Sequence, residues 1–210
     1  MAALLSVLYI ALLVTAGVAG ANLRDLERRR PIVTASAFVV VAVFSLLQLT
    51  VAPALFEALR RDRSAIAHGE LWRLVTSFVV QDSGWTGTIF NLLTLAVIGT
   101  LAERLWGPAR WLALALVVQV LGDLWGLVVQ PLGAGTSLVD FGLAASLAAA
   151  ALVLDAERRA RVPAVAALAV AVVLLVLGDI HGGAAVIGAA GGAALAWHRR
   201  RNHQYPAPSR

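Results

Sequence analysis

Apolar residues come in long, nearly unbroken runs near positions 2–22, 32–56, 86–105, 109–130, 137–155, 162–178 and 182–198, and polar residues collect in the gaps between them. The hydrocarbon core of a bilayer is crossed by roughly 20 residues of helix. The pattern therefore predicts seven membrane-crossing helices, the last two short, in an all-α polytopic membrane protein. The longest gap, 57–85, contains ELWRLVTSFVV, amphipathic enough to lie in the membrane interface instead of crossing it. The first run lacks the basic flank of a secretory signal, and AGVAGA is its only cleavage-like stretch, so it reads as a retained anchor.

Composition sharpens this picture. Hydrophobic residues make up 60% of the 210, charged residues only 14%, and mean hydropathy is +0.83. There is no cysteine, which excludes disulfides, thiolate metal sites and a cysteine nucleophile. The net charge of +5 comes entirely from arginine, since all 17 basic residues are Arg. They sit beside apolar runs and not in a stripe with aromatics, so they read as topology signals and not as a nucleic-acid surface. Arg24, Arg28, Arg29, Arg30, Arg104, Arg110, Arg158, Arg159, Arg161, Arg199, Arg200, Arg201 and Arg210 fall on one side, against Arg60, Arg61, Arg63 and Arg73 on the other. The positive-inside rule then predicts the N-terminus outside and the C-terminus in the cytoplasm, and the plasma membrane is the expected location. On that topology Ser137 and His181 both begin helices at the outer face.

Polar residues inside spanning helices are costly and mark either function or a buried pair. Asn91, Asp123, Ser137 with Asp140, and His181 are the candidates. Each alone has an ordinary reading: a serine bonded to its own helix, an interfacial histidine, a packing asparagine, an aspartate paired across helices. Their neighbours change the balance. Ser137, Phe141, Ala144 or Ala145, and Ala148 share one helical face; His181, Ala184 or Ala185, Gly188 and Gly192 share another. Faces of small residues let membrane helices meet backbone to backbone, and two such faces can bring Ser137 within reach of His181. A histidine beside a serine is the base that activates it. The glycines of GAGTS let a substrate backbone approach, and the helix start offers unpaired N–H groups to an oxyanion.

These residues resemble the rhomboid family of intramembrane serine proteases, over roughly residues 69 to 198. LWRLVTSF supplies a Trp-Arg pair, Trp72 and Arg73; GWTGTIFNLL supplies Trp85 and Asn91; LAERLWGPAR supplies Glu103 and Gly107. GTSLVDFGL gives Gly135, Ser137, Phe141 and Gly142, and His181 is followed by Gly188. The resemblance implies a rhomboid-like six-helix core with one extra N-terminal helix. It divides the chain into 1–30 (extra helix and basic linker), 31–198 (core) and 199–210 (basic, disordered tail). It further implies an endopeptidase that cleaves transmembrane protein substrates near their outer ends by a Ser137–His181 dyad, within the lipid bilayer and without metal or cofactor. Asn91, with Gly135 and Leu138 beside the nucleophile, would form the oxyanion and substrate site, and Phe141 would pack on His181.

The sequence also departs from the family. Two histidines expected nine and four residues before Asn91 are Asp82 and Gly87, the second replacing an oxyanion donor. Loss of such a donor costs roughly 10²–10³ in rate, so weak activity is expected. Leu138 replaces a glycine after the nucleophile, and Ala184 replaces another after the base. These changes favour the alternative, a pseudoprotease that binds or escorts membrane proteins; retention of Ser137 and His181 favours the enzyme. Asp179, two residues before His181, and Asp140, one turn below Ser137, are both placed to orient an imidazole. The expectation is that Asp140 assists; pairing of Asp140 with an arginine or water is equally open. Oligomeric state and substrate identity have no signal in the chain.

Overall fold

The computed structural model describes residues 2–24, 26–154 and 156–204. Helix α1 (Ala2–Ala21) is followed by α2 (Ile32–Thr50), and an outer excursion carries α3 (Ala54–Leu59), strand β1 (Arg61–Asp62), α4 (Arg63–Ala67) and α5 (Arg73–Thr76). A long rod over Gly84–Trp106 comprises α6 (Gly84–Thr94), a π-helical turn at Leu95–Gly99 and α7 (Thr100–Trp106). Then come α8 (Pro108–Val129), β2 (Leu132–Gly133), α9 (Ser137–Val153), α10 (Arg158–Val176) and α11 (Ile180–Gln204).

Six described helices are long and apolar enough to cross a membrane, and α9 is a shorter apolar helix. Its 17 residues give about 26 Å of helix, short of a bilayer core of about 30 Å. It can be short because it is central: every residue from Leu138 to Ala151 is buried. Helices α8, α10, α11 and α1 pack around it, and α9 meets α11 more extensively than any other pair. A Cβ on Gly188 would lie 2.0 Å from Gly142 O, and one on Gly192 would lie 2.5 Å from Ser146 Cα. The two small-residue faces are thus in backbone contact, as the sequence pattern predicts.

Several expected boundaries shift. The second run stops at Thr50, not 56, because Pro53 starts the separate helix α3. Helix α10 begins earlier than expected, at Arg158. Helix α11 continues to Gln204, so Arg199 to Arg201 are helical and not part of a disordered tail. The end expected to be disordered otherwise falls at 205–210, outside the described residues. The segment ELWRLVTSF is not one interfacial helix but turns around the single-turn α5.

Helix termini are tied by side chains from elsewhere. Glu103 accepts Val33 N at 3.0 Å, Thr34 N at 2.7 Å and Thr34 Oγ1 at 2.8 Å, capping α2, whose own preceding residue Pro31 offers no side-chain cap. Arg73 donates to Glu57 O (2.7 Å) and Arg60 O (3.0 Å) at the end of α3. Arg61 is buried against Asp123 of α8, Nη1 to Oδ1 at 2.5 Å, and that carboxylate also accepts from Ser77 and Gln119. Asp123 is therefore a buried pair holding the outer excursion to α8.

Candidate active site

Ser137 opens α9 and His181 is the second residue of α11, so the seam between these helices fixes the distance between their starts. Ser137 Oγ lies 3.0 Å from His181 Nε2. On the other ring nitrogen, His181 Nδ1 is 2.9 Å from Asp179 Oδ1, which also accepts the His181 backbone N–H at 2.9 Å. A carboxylate at Nδ1 keeps the proton of the neutral ring there and leaves Nε2 as the acceptor facing Ser137. Burial raises the Asp179 carboxyl, but the hydrogen bonds from His181 and Tyr9 outweigh it and hold it below the usual carboxylate value. Phe141, one turn into α9, packs its ring 4.6 Å from the imidazole.

The carboxylate on His181 is thus Asp179 and not Asp140. Asp140 is buried and accepts Thr136 Oγ1 at 3.0 Å, with no bond to His181. The reason is local geometry: Asp179 precedes the helix, where a side chain folds back onto the second N–H, whereas Asp140 lies inside α9 and turns to its own helix start.

The facing wall comes from the outer loop and α6. Asn91 Nδ2 donates to Gln81 Oε1 at 2.8 Å. Gln81 is itself clamped by Gln48, whose Oε1 accepts Gln81 N (2.9 Å) and whose Nε2 donates to Gln81 O (2.6 Å). Gly135 sits where these groups converge: a Cβ there would lie 3.1 Å from Gln81 Oε1, 3.3 Å from Asn91 Nδ2 and 3.8 Å from Ser137 Oγ. Its φ of +140° also disfavours any side chain. Leu138 packs a methyl toward Gly122 of α8 and also lines the site. Asp82 Oδ2 accepts Ala134 N at 3.1 Å, tying the two loops together. A cavity of about 520 Å³ joins Ser137, His181, Asn91, Gly135, Leu138, Phe141, Asp82 and Gly87.

A family profile described as the Rhomboid domain matches residues 68–202, more than half of the chain. The chain belongs to the rhomboid family. Among curated proteins of Bacillus subtilis (strain 168), it is 37% identical over 93 residues to Rhomboid protease GluP, covering 44% of this chain and 18% of that one. It is 32% identical over 81 residues to YdcA, whose name assigns it provisionally to the rhomboid proteases, covering 37% of this chain and 40% of that one. The alignments therefore span less than half the length of either relative.

Within this rhomboid, some motif residues stand at the site and others only support it. Trp72 is half-exposed and Arg73 binds Glu70 and the α3 carbonyls, away from the cavity. Gly188 acts in the seam. Two residues at the site were not singled out from the sequence. Gln81 lies in a polar loop segment and carries no motif. Tyr9 lies on α1, and its hydroxyl donates to Asp179 Oδ2 at 2.6 Å. A lone tyrosine on an apolar helix gives no sequence signal beyond a preference for the membrane interface.

Proposed function

We propose that this protein is an intramembrane serine endopeptidase acting on transmembrane protein substrates near the outer face of the plasma membrane, with the N-terminus outside and the C-terminus cytoplasmic. The observation that carries the reading is the continuous Ser137–His181–Asp179 chain at 3.0 and 2.9 Å, on the family background of the matched segment. His181 Nε2 takes the Ser137 proton as Oγ attacks the scissile carbonyl carbon, and Asp179 steadies the imidazolium that forms. The imidazolium returns the proton to the leaving amine as the C–N bond breaks. Water, deprotonated by the same nitrogen, then attacks the acyl-enzyme and frees Ser137. Asn91, its amide turned by Gln81, donates to the oxyanion, and Gly135 leaves room for the substrate carbonyl.

The alternative, a rhomboid that binds membrane segments without cutting them, is favoured by Asp82 and Gly87 at the two positions where the family carries histidine. Labelling of the reconstituted protein with a fluorophosphonate serine probe separates the two. The endopeptidase reading expects labelling of wild type that disappears in Ser137→Ala and in His181→Ala. Folded wild type that stays unlabelled, beside a reactive serine hydrolase control, establishes the binding protein instead.

A further inference from the structure

Helix α1 ends at Ala21, well before the matched segment begins at residue 68. It nonetheless reaches the catalytic cavity, packing along α9 and α10 and contributing Tyr9 to the wall beside His181. Three contacts radiate from this residue. Its hydroxyl donates to Asp179 Oδ2 at 2.6 Å, its ring centroid lies 4.5 Å from that of His181, and it meets Phe141 edge-on at 5.4 Å.

Asp179 has two carboxylate oxygens with separate duties. Oδ1 serves the His181 ring and backbone together; Oδ2 takes the phenol. The terminal torsion of an aspartate is soft, so a carboxylate held at one oxygen can swing and carry Oδ1 off the imidazole. Holding both oxygens removes that freedom. The ring of His181 also rests against both Tyr9 and Phe141, which touch each other. An imidazolium, which exists only once the serine proton has moved, gains from aromatic faces that a neutral ring does not use as well. Interactions that strengthen on the way to the transition state raise the maximal rate and not the affinity.

We propose that Tyr9 is a positioning residue for the catalytic relay: its phenol locks Asp179 so that the carboxylate holds His181 toward Ser137. The catalytic unit of this chain then includes a residue from a helix outside the family segment. The inference rests on the endopeptidase reading above. The ordinary competing role is that Tyr9 merely docks α1, and that role predicts different kinetics.

The test uses the purified full chain in phosphatidylethanolamine–phosphatidylglycerol vesicles and the concentration dependence of fluorophosphonate labelling, which separates maximal rate from half-saturation. Tyr9→Phe keeps both ring contacts and removes the hydroxyl. Its maximal rate is expected to fall about tenfold, the scale of one hydrogen bond to a charged group, with half-saturation unchanged. In an Asp179→Asn background the same substitution is expected to cost less than about twofold, because two residues acting through one contact are not additive. Tyr9→Leu, which also removes the ring, should fall further than Tyr9→Phe, and Val7→Ala on the exposed side of α1 should match wild type. Wild-type rates in Tyr9→Phe, or an equal loss in both backgrounds, overturn the proposal while leaving the protease reading intact. An unlabelled wild type removes both together.

Discussion

The two walls of the cavity are built on different principles. The wall that carries Ser137 and His181 is a backbone seam: Gly188 and Gly192 of α11 lie directly against Gly142 and Ser146 of α9, with no side chain between. The wall that carries Asn91 is an amide relay, in which the Gln48 side chain clamps the Gln81 backbone and the Gln81 side chain holds Asn91, spanning α2, the outer loop and α6. Backbone contact has one solution and admits no substitute residue. An amide relay has several, because any side chain that returns the same hydrogen bonds serves. The departures from the family pattern follow this division in part: Leu138 and Ala184 lie on the two seam helices, where both point toward Gly122 of α8. Both histidine positions, now Asp82 and Gly87, lie on the amide wall, while the seam keeps Ser137, Phe141, Gly142, His181 and Gly188.

Substituting the seam should break it outright. A side chain at Gly188 meets the Gly142 carbonyl, so Gly188→Leu must push α11 off α9. We expect a loss of at least about 3 kcal/mol, the upper range of overpacking costs, read as a large drop in the thermal unfolding midpoint in lipid. The amide wall should give up rate and keep the fold. Asn91→Ala is expected to lower the fluorophosphonate labelling rate by about 10²-fold, as loss of an oxyanion donor does. Gln81→Leu should cost about tenfold by releasing Asn91 from its orientation, with the unfolding midpoint near wild type in both. Equal rates in these variants and wild type would remove the amide wall from the site.

The smallest effect concerns acid. Burial alone would raise the Asp179 carboxyl, yet its hydrogen bonds hold it below the usual value. The stability it contributes is therefore complete above the unfolded carboxyl's range and is lost as pH falls through the lower folded value. Unfolding midpoints measured on acidification should decline more steeply through that range in wild type than in Asp179→Asn.

What could be read from the chain, and what could not, tracks how local each determinant is. The seven apolar runs, the two small-residue faces and the Ser137–His181 pairing depend on spacing within a helix, and spacing is visible. The choice between Asp140 and Asp179 turned on a cap: a residue just outside a helix bends back onto its first turn, and one just inside does not. Spacing alone does not rank the two. The early end of α2 has a visible cause in Pro53, which its apolar surroundings mask. Gln81 and Tyr9 depend on tertiary contact across 10 and 170 residues, and neither position has a local pattern to betray it.

The reach of α1 bears on how this protein is divided at the bench. A boundary drawn by similarity falls at residue 68, and a boundary drawn by cooperativity falls elsewhere. Leu12, Ala16 and Ala19 of α1 are buried in the same core cluster as Leu143 and Leu147 of α9. A fragment trimmed to the recognised domain would uncover that core and also leave Arg73 and Asp123 without the partners they bind in the outer excursion. Chimeras joining this segment to another relative's first helix inherit the same gap. The unit to express, swap or transplant is the one enclosed by contacts, from the first helix onward.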